Sequence, residues 1–185
     1  MFPILLIVLV GGIILVSKSG GAKSSETSGL LLGLPDILPD NQHGVYKRDY
    51  DDFFYQQGLE FGVPFALMKA HAIRESSLKP GSFLSDSRGG SYGLMQLSWG
   101  PGNERFKSYG YSAAKIGDGQ LLYDPYTNTF IAAQLIADNL RRFGNVKDAI
   151  NAYNTGVAYS TRVAPANYTE DVLNYYSTLI GRKIE

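Results

Sequence analysis

The sequence predicts a mainly α-helical domain with a small loop or β-hairpin excursion, preceded by a single N-terminal transmembrane helix. Three observations carry this. From Val45 to Ile184, apolar residues recur at helical spacing in runs closed by Gly, Pro or Asn. Those runs are interrupted once, by the Gly- and Ser-rich stretch Pro80–Gly119 with its scattered aromatics. Ahead of them, Met1–Val16 holds no charged side chain, and Ile4–Val10 and Ile13–Val16 are wholly aliphatic. A chain of 185 residues supports one domain and an appendage. The division expected is an anchor over 1–17, a flexible tether over 18–44 and a folded domain over 45–185.

As a helix, the first segment would be about 24 Å long against a hydrocarbon core of about 30 Å, so spanning requires local thinning or the reach of Ser17 and Lys18 to the interface. A cleaved signal peptide is the alternative; no Lys or Arg precedes the apolar run and no clear A-x-A site follows it. Ser17–Ser28 has tether composition, and Gly29–Gly44, with Leu-Pro twice, reads as irregular. Asp49–Phe61 places Tyr50, Phe54 and Phe61 on one face and stops at Gly62. Pro64 suits the first turn of the next helix, Pro64–Ser76. An irregular stretch as long as Pro80–Gly119 inside a domain usually means a functional loop or a short β excursion, and a short hairpin is the form expected in Pro80–Gly93. Asp124-Pro125 is an N-cap followed by proline at the first helical position. The helix after it carries Ala132, Ile136, Leu140 and Phe143 and ends at Gly144. Asn145 caps a short helix with the stripe Val146, Ala149, Ile150 and Tyr153. A last helix, from about Asn167 to Ile180, aligns Tyr168, Val172, Tyr175 and Leu179.

One residue breaks the pattern. Phe65, Met68, Ala72 and Glu75 are spaced three, four and three apart, so Glu75 falls on an apolar stripe. A carboxylate there is costly unless neutral or paired, and desolvation raises its pKa toward that of a proton donor near neutral pH. A glutamate already turned to solvent at the helix end is the bland alternative. Composition removes other chemistries. Formal charge is zero, with no broad basic footprint for nucleic acid. There is no cysteine and only His43 and His71, far apart, which excludes a Cys/His zinc site and a cysteine nucleophile. No metal and no cofactor is expected. Thirteen tyrosines offer flat faces with polar tips, suited to glycan clefts and to ordinary packing alike.

Five strings then fall in order: Glu75-Ser76 at a helix end; Gly93-Leu94-Met95-Gln96 after the glycine-rich loop; Asp124-Pro125-Tyr126-Thr127-Asn128; Ala152-Tyr153-Asn154; and Tyr168-Thr169-Glu170-Asp171-Val172-Leu173. Together they resemble the catalytic domain of the soluble lytic transglycosylases, of the lysozyme-like superfamily and related to goose-type lysozyme, over roughly Tyr50 to Tyr176. The resemblance implies cleavage of the β-1,4 bond between N-acetylmuramic acid and N-acetylglucosamine in peptidoglycan. Glu75 would act as acid and then base, leaving a 1,6-anhydro sugar; this departs from the usual two-carboxylate plan. It implies that Ser76 bonds and orients the glutamate, that Met95 packs against it, that the Gln96 amide meets glycan, and that Tyr153 and Asn154 line the sugar cleft. Tyr168 would stand beside the acid as a second catalytic residue. Each has a plainer reading: a helix-end hydroxyl for Ser76, core for Met95 and Tyr153, a satisfied polar group for Gln96, a helix terminator for Asn154, structure for Tyr168. Gly93 is read as serving backbone geometry. Tyr92 and Trp99 are either sugar platforms or loop packing. His71, one turn before Glu75, is read as a packing residue, with tuning of the glutamate as the alternative.

The sequence departs from the family pattern in three places: Thr169 replaces a valine, the segment between Glu75 and Gly93 is slightly long, and Ser98–Asn103 is its own. Asp86, in that longer segment, raises the rival outcome of a hydrolase, since goose-type lysozymes hold the attacking water with acidic residues there. A non-catalytic glycan-binding membrane protein is the second rival. The expected partners are peptidoglycan strands and, through the N-terminal helix, a membrane; no protein partner is specified. Lys18 and Lys23 weakly favour a cytoplasmic domain, but the substrate requires the cell-wall side, in a bacterial envelope or the membrane of a phage virion.

Overall fold

The computed structural model describes residues 7–9, 12–14, 49–85, 89–99, 109–111 and 119–181. Asp86 and the tether lie outside them. In the segment expected as a transmembrane helix, the described backbone is extended: β1 (Ile7–Leu9) pairs antiparallel with β2 (Gly12–Ile14), Ile7 opposite Ile14 and Leu9 opposite Gly12. Branched Ile and Val favour a pleated backbone, and glycine weakens a helix by about 1 kcal/mol. No described helix is long and apolar enough to cross a membrane.

The domain itself is mainly helical. Helix α1 (Asp51–Phe61) starts on a left-handed Tyr50 and stops at Gly62, φ 69°, whose amide returns to the Gly58 carbonyl. Gly58 is buried where the chain turns back: a Cβ there would lie 2.6 Å from the Val63 carbonyl oxygen. Helix α2 (Phe65–Ser76) follows at once, with Pro64 at the N-cap, one position earlier than the sequence implied. Its burial is not a stripe. Every residue from Ala66 to Ile73 is buried, Lys69 and His71 included, so α2 is the axis of the domain, with α1 and the last helix, Tyr168–Ile180, among the helices around it. Lys69 is tolerated there because its ammonium lies 2.7 Å from the Asp51 carboxylate of α1.

Beyond α2 the expected hairpin is a three-stranded antiparallel sheet, β3 (Phe83–Leu84), β4 (Ser91–Tyr92) and β5 (Leu97–Ser98), with Phe83 opposite Tyr92 and Tyr92 opposite Leu97. The third strand is too short to show alternation in the sequence. A 3-10 turn at Gln120–Tyr123 leads into α3 (Pro125–Phe143). The Asp124 side chain caps α3 by accepting from the Thr127 amide at 2.8 Å, and Gly144, φ 71°, ends it. Helix α4 (Val146–Thr155) is capped by Asn145, which accepts from the Asp148 amide at 2.8 Å. Helix α5 is Tyr168–Ile180. Helix α3 packs on α1 and α4, and α5 closes against α2 and α4. The core between them holds Phe54, Leu67, Met68, Leu94, Met95, Ile131, Ile136, Ile150, Val172 and Leu179. Fully burying such a side chain is worth about 1.5–3 kcal/mol, and together they fix α2 against α5.

Candidate active site

Helix α2 emerges from the core at its last turn, and Glu75 stands there, partly accessible. The Tyr168 hydroxyl, on the first residue of α5, donates to Glu75 Oε1 at 2.6 Å. The same hydroxyl oxygen lies 2.9 Å from His71 Nδ1, one turn back along α2. His71 is fully buried, and its ring is tilted against Tyr153 of α4 at 4.6 Å between centroids. Arg74 lies over the Tyr168 ring, 5.4 Å from its centroid, held by Asp171 at 3.0 Å and by the Ala166 carbonyl at 3.2 Å.

These surroundings set the ionisation. Burial raises the Glu75 pKa from 4.5 to about 7; the Tyr168 hydrogen bond and the Arg74 charge pull the other way without prevailing. Burial lowers His71 to about 3, so the imidazole is neutral at any physiological pH. Tyr168 is pushed well above the ordinary phenol value, first by burial and then by the Glu75 charge. The site therefore presents a carboxyl group that holds or releases a proton near neutrality, with a phenol that stays a donor.

The strand-and-turn segment is fastened by one residue the sequence reading did not single out for this. Asn128, fully buried on α3, accepts from the Met95 amide at 2.7 Å and donates to the Tyr92 and Leu122 carbonyls at 2.9 and 2.8 Å. Gly93, φ 76°, is required because a Cβ would lie 2.2 Å from the Leu122 oxygen and 2.5 Å from Asn128 Nδ2. The signal available was Asn128 itself, an amide on the buried side of an amphipathic helix. Asn151 of α4 does the same for the loop before α5. It donates to Thr155, Val157 and Arg162 and accepts from the Ala164 amide and the Thr169 hydroxyl. Six described non-glycine residues have positive φ; five of them, Ser77, Leu78, Gln96, Ala166 and Asn167, adjoin Glu75-Ser76, Met95 or Tyr168. Each such conformation costs about 1–3 kcal/mol, and its concentration here marks a site whose geometry the surrounding packing enforces.

Glu75, Tyr168 and His71 thus come together, and the Tyr153 hydroxyl joins them to the strand segment by donating to the Met95 carbonyl at 2.8 Å. The Met95 side chain is fully buried. Asn154 is exposed at the end of α4. Ser76 differs from its expected place: its hydroxyl donates to the Ala72 carbonyl and accepts from the Lys79 amide, both at 3.2 Å, completing the helix end rather than bonding Glu75. The left-handed Ser77 turns the chain there, and the hydroxyl takes up the backbone groups that the turn leaves open. The Gln96 amide donates to the Ser82 and Gly93 carbonyls at 3.1 and 2.9 Å, so both its N–H groups are engaged in holding its own loop. Tyr92 is core, not a platform: it is buried between Phe83 and Tyr123, and its hydroxyl donates to Gly89. Trp99 is half-buried. His71 is more than packing, as its bond to Tyr168 shows. Among the described residues no group of three or more His, Asp or Glu side chains could hold a metal ion.

The signature of the family described as Transglycosylase SLT domain matches residues 52–175, which contain all five strings and the Glu75–Tyr168 pair. The chain belongs to the SLT transglycosylase family. The domain is a peptidoglycan lytic transglycosylase with a lysozyme-like helical fold. It is 29% identical over 136 residues to the Invasion protein IagB of Salmonella typhimurium, covering 72% of this chain and 81% of that one. It is 26% identical over 126 residues to the Protein IpgF of Shigella flexneri, covering 68% and 79%. Among solved structures it matches the 70 kDa soluble lytic transglycosylase of Escherichia coli with a TM-score of 0.56 and 26% identity. That match covers 75% of this chain and 25% of the larger one, so this SLT chain corresponds to about a quarter of that enzyme.

Proposed function

We propose that this SLT domain cleaves the β-1,4 bond between N-acetylmuramic acid and N-acetylglucosamine by intramolecular transfer, with Glu75 serving as acid and then base. The observation that carries this is the raised Glu75 carboxyl under the Tyr168 hydroxyl. Protonated, Glu75 delivers its proton to the glycosidic oxygen as the C1–O bond breaks. The resulting carboxylate then takes the proton of the muramoyl C6 hydroxyl while that oxygen bonds to C1. The products are a free 4-hydroxyl and a 1,6-anhydro end, with no water consumed. Tyr168 donates to the carboxylate in its charged phase and stabilises the developing negative charge, while burial keeps the group protonated at the start. A second catalytic carboxylate is not needed in this scheme. Tyr153 and Asn154 of α4 are proposed to line the sugar cleft, Asn154 through its exposed amide. Met95 is proposed to exclude water from the acid's surroundings. Ser76 and Gln96, engaged with backbone, support the helix end and the loop, and Gln96 Oε1 is the atom left to meet an N–H of the glycan.

Attachment to a membrane through residues 1–17 is proposed from composition: no charged side chain over Met1–Val16 and a tether-like sequence after it. Such a tether raises local concentration on a mesh that cannot diffuse. The domain, residues 45–185, then works on the wall side, in a bacterial envelope or a phage virion with its own membrane. Fractionation of the full chain against a variant lacking residues 1–17 tests this; equal solubility of the two would refute the anchor. The chemical reading is tested by mass analysis of muropeptides released from purified walls in labelled water. Anhydro ends without label are expected. Labelled reducing ends would instead establish hydrolysis.

A further inference from the structure

We propose that His71 is a positioning residue: with its single ring proton on Nδ1 it donates to the Tyr168 oxygen and fixes the direction of the hydrogen-bond chain ending on Glu75. The proposal rests on reading Glu75 as the acid, but its geometry does not. The Tyr168 hydroxyl has one proton and two neighbours, Glu75 Oε1 at 2.6 Å and His71 Nδ1 at 2.9 Å. A carboxylate only accepts, so with Glu75 ionised the phenol proton points to Oε1. The contact to His71 is then a hydrogen bond only if Nδ1 carries a proton. His71 Nε2 is buried with no partner, so a proton there would leave an orphaned donor and turn Nδ1 into an acceptor competing with Glu75 for the phenol proton. The groups facing this chain are Tyr168 and Asp171 from α5, the latter held by Arg74, Tyr153 from α4, and Arg74 on α2 itself. None places an anion against the imidazole, consistent with its lowered pKa.

The consequence is directional. When Glu75 takes up a proton, Tyr168 still receives from Nδ1 and still donates to Oε1. The acid proton therefore resides on Oε2, the oxygen not engaged by Tyr168. With the opposite tautomer the phenol proton would turn toward His71, and the acid proton would be drawn onto the Tyr168 oxygen. His71 thus keeps the acid proton off the internal chain without touching substrate. It also strengthens the donor that stabilises the carboxylate in the second half of the reaction.

The test begins on the unaltered full chain labelled with nitrogen-15 histidine, which gives signals from only His43 and His71. The expected result is a neutral His71 with its proton on Nδ1 throughout pH 5–8, assigned by loss of the signal in His71→Leu. A proton on Nε2, or titration of His71 within that range, overturns the proposal. Carboxyl carbon-13 shifts then give the Glu75 pKa in two variants. His71→Leu, which removes the donor, should raise it by about half a unit to one unit, a roughly three- to tenfold change in the ionisation constant, and lower kcat with KM unchanged. His71→Asn, whose amide nitrogen lies near the Nδ1 position, should restore the wild-type value. An unchanged Glu75 pKa in His71→Leu overturns the proposal; if that variant does not fold, the tautomer in the unaltered chain decides. Failure to release anhydro products with the Nδ1 tautomer intact would refute the functional reading and leave the proton chain standing.

Discussion

Replacing Glu75 by glutamine isolates the free energy of ionising a carboxyl group at the end of α2. In the folded protein this group titrates near 7 rather than 4.5, because burial outweighs the Tyr168 hydrogen bond and the Arg74 charge. A carboxyl whose pKa is raised on folding favours the folded state while it stays protonated. That contribution is fully present below about pH 4.5 and is lost as pH rises through about 7. The gap, at about 1.4 kcal/mol for each pH unit, amounts to roughly 3 kcal/mol, and the partial exposure of Glu75 reduces this to about 2 kcal/mol. Glutamine keeps the shape and an acceptor for Tyr168 but cannot ionise. Glu75→Gln should therefore match the wild type in stability at pH 4 and exceed it by about 2 kcal/mol at pH 8.5, equivalent to a rise in Tm of roughly 5 °C. Urea unfolding of both proteins at each pH measures it, and subtraction cancels every other titrating group. A constant difference across pH would refute the raised pKa. A wild type that gains on the variant as pH rises would show that the carboxylate is stabilised by folding, the opposite sign.

Further outcomes follow from the geometry of the site and its supports. Wall-lytic kcat/KM should fall above about pH 7 as Glu75 loses its proton, and Glu75→Gln should abolish lysis while retaining glycan binding; a profile flat to pH 9 would contradict the acid role. Tyr168→Phe removes the donor at 2.6 Å from the carboxylate and leaves His71 Nδ1 unpaired; the alkaline limb of the pH profile should move upward and stability fall by about 1–3 kcal/mol, read by activity and urea unfolding. Asn128→Ala strands the Met95 amide and the Tyr92 and Leu122 carbonyls, for a loss of about 3–5 kcal/mol by denaturation, whereas Asn154→Ala on exposed surface should change stability by less than about 0.5 kcal/mol while raising KM.

Helix ends were legible because capping is local: Asp124-Pro125, Asn145, Gly62 and Gly144 act on residues three or four away, and the structure uses each as the sequence implies. The placement of Glu75 among apolar residues was legible for the same reason. Helix α2 being buried on all sides was not, since periodicity reports one face, and the partners that Lys69 and His71 find there, Asp51 and Tyr168, come from other helices. The N-terminal segment shows the converse: uncharged aliphatic composition is shared by a spanning helix and a pleated pair, and it does not choose between them.

The strings at Glu75, Gly93, Asp124, Ala152 and Tyr168 determined the family, because they are contiguous in sequence and need no fold to be read. What each side chain does is a matter of distances across the fold. Tyr168 reaches Glu75 over 93 residues and His71 over 97, so the donor that offsets part of the burial-driven rise in the carboxyl pKa is in place only once α5 lies on α2. Ser76 and Gln96 carry expected site identities but have their donors engaged by nearby backbone. Sequence supplied the groups capable of the chemistry; packing decided which are desolvated, which are paired and which remain available. Burial and hydrogen-bond geometry belong to the assembled core and not to any one segment of it.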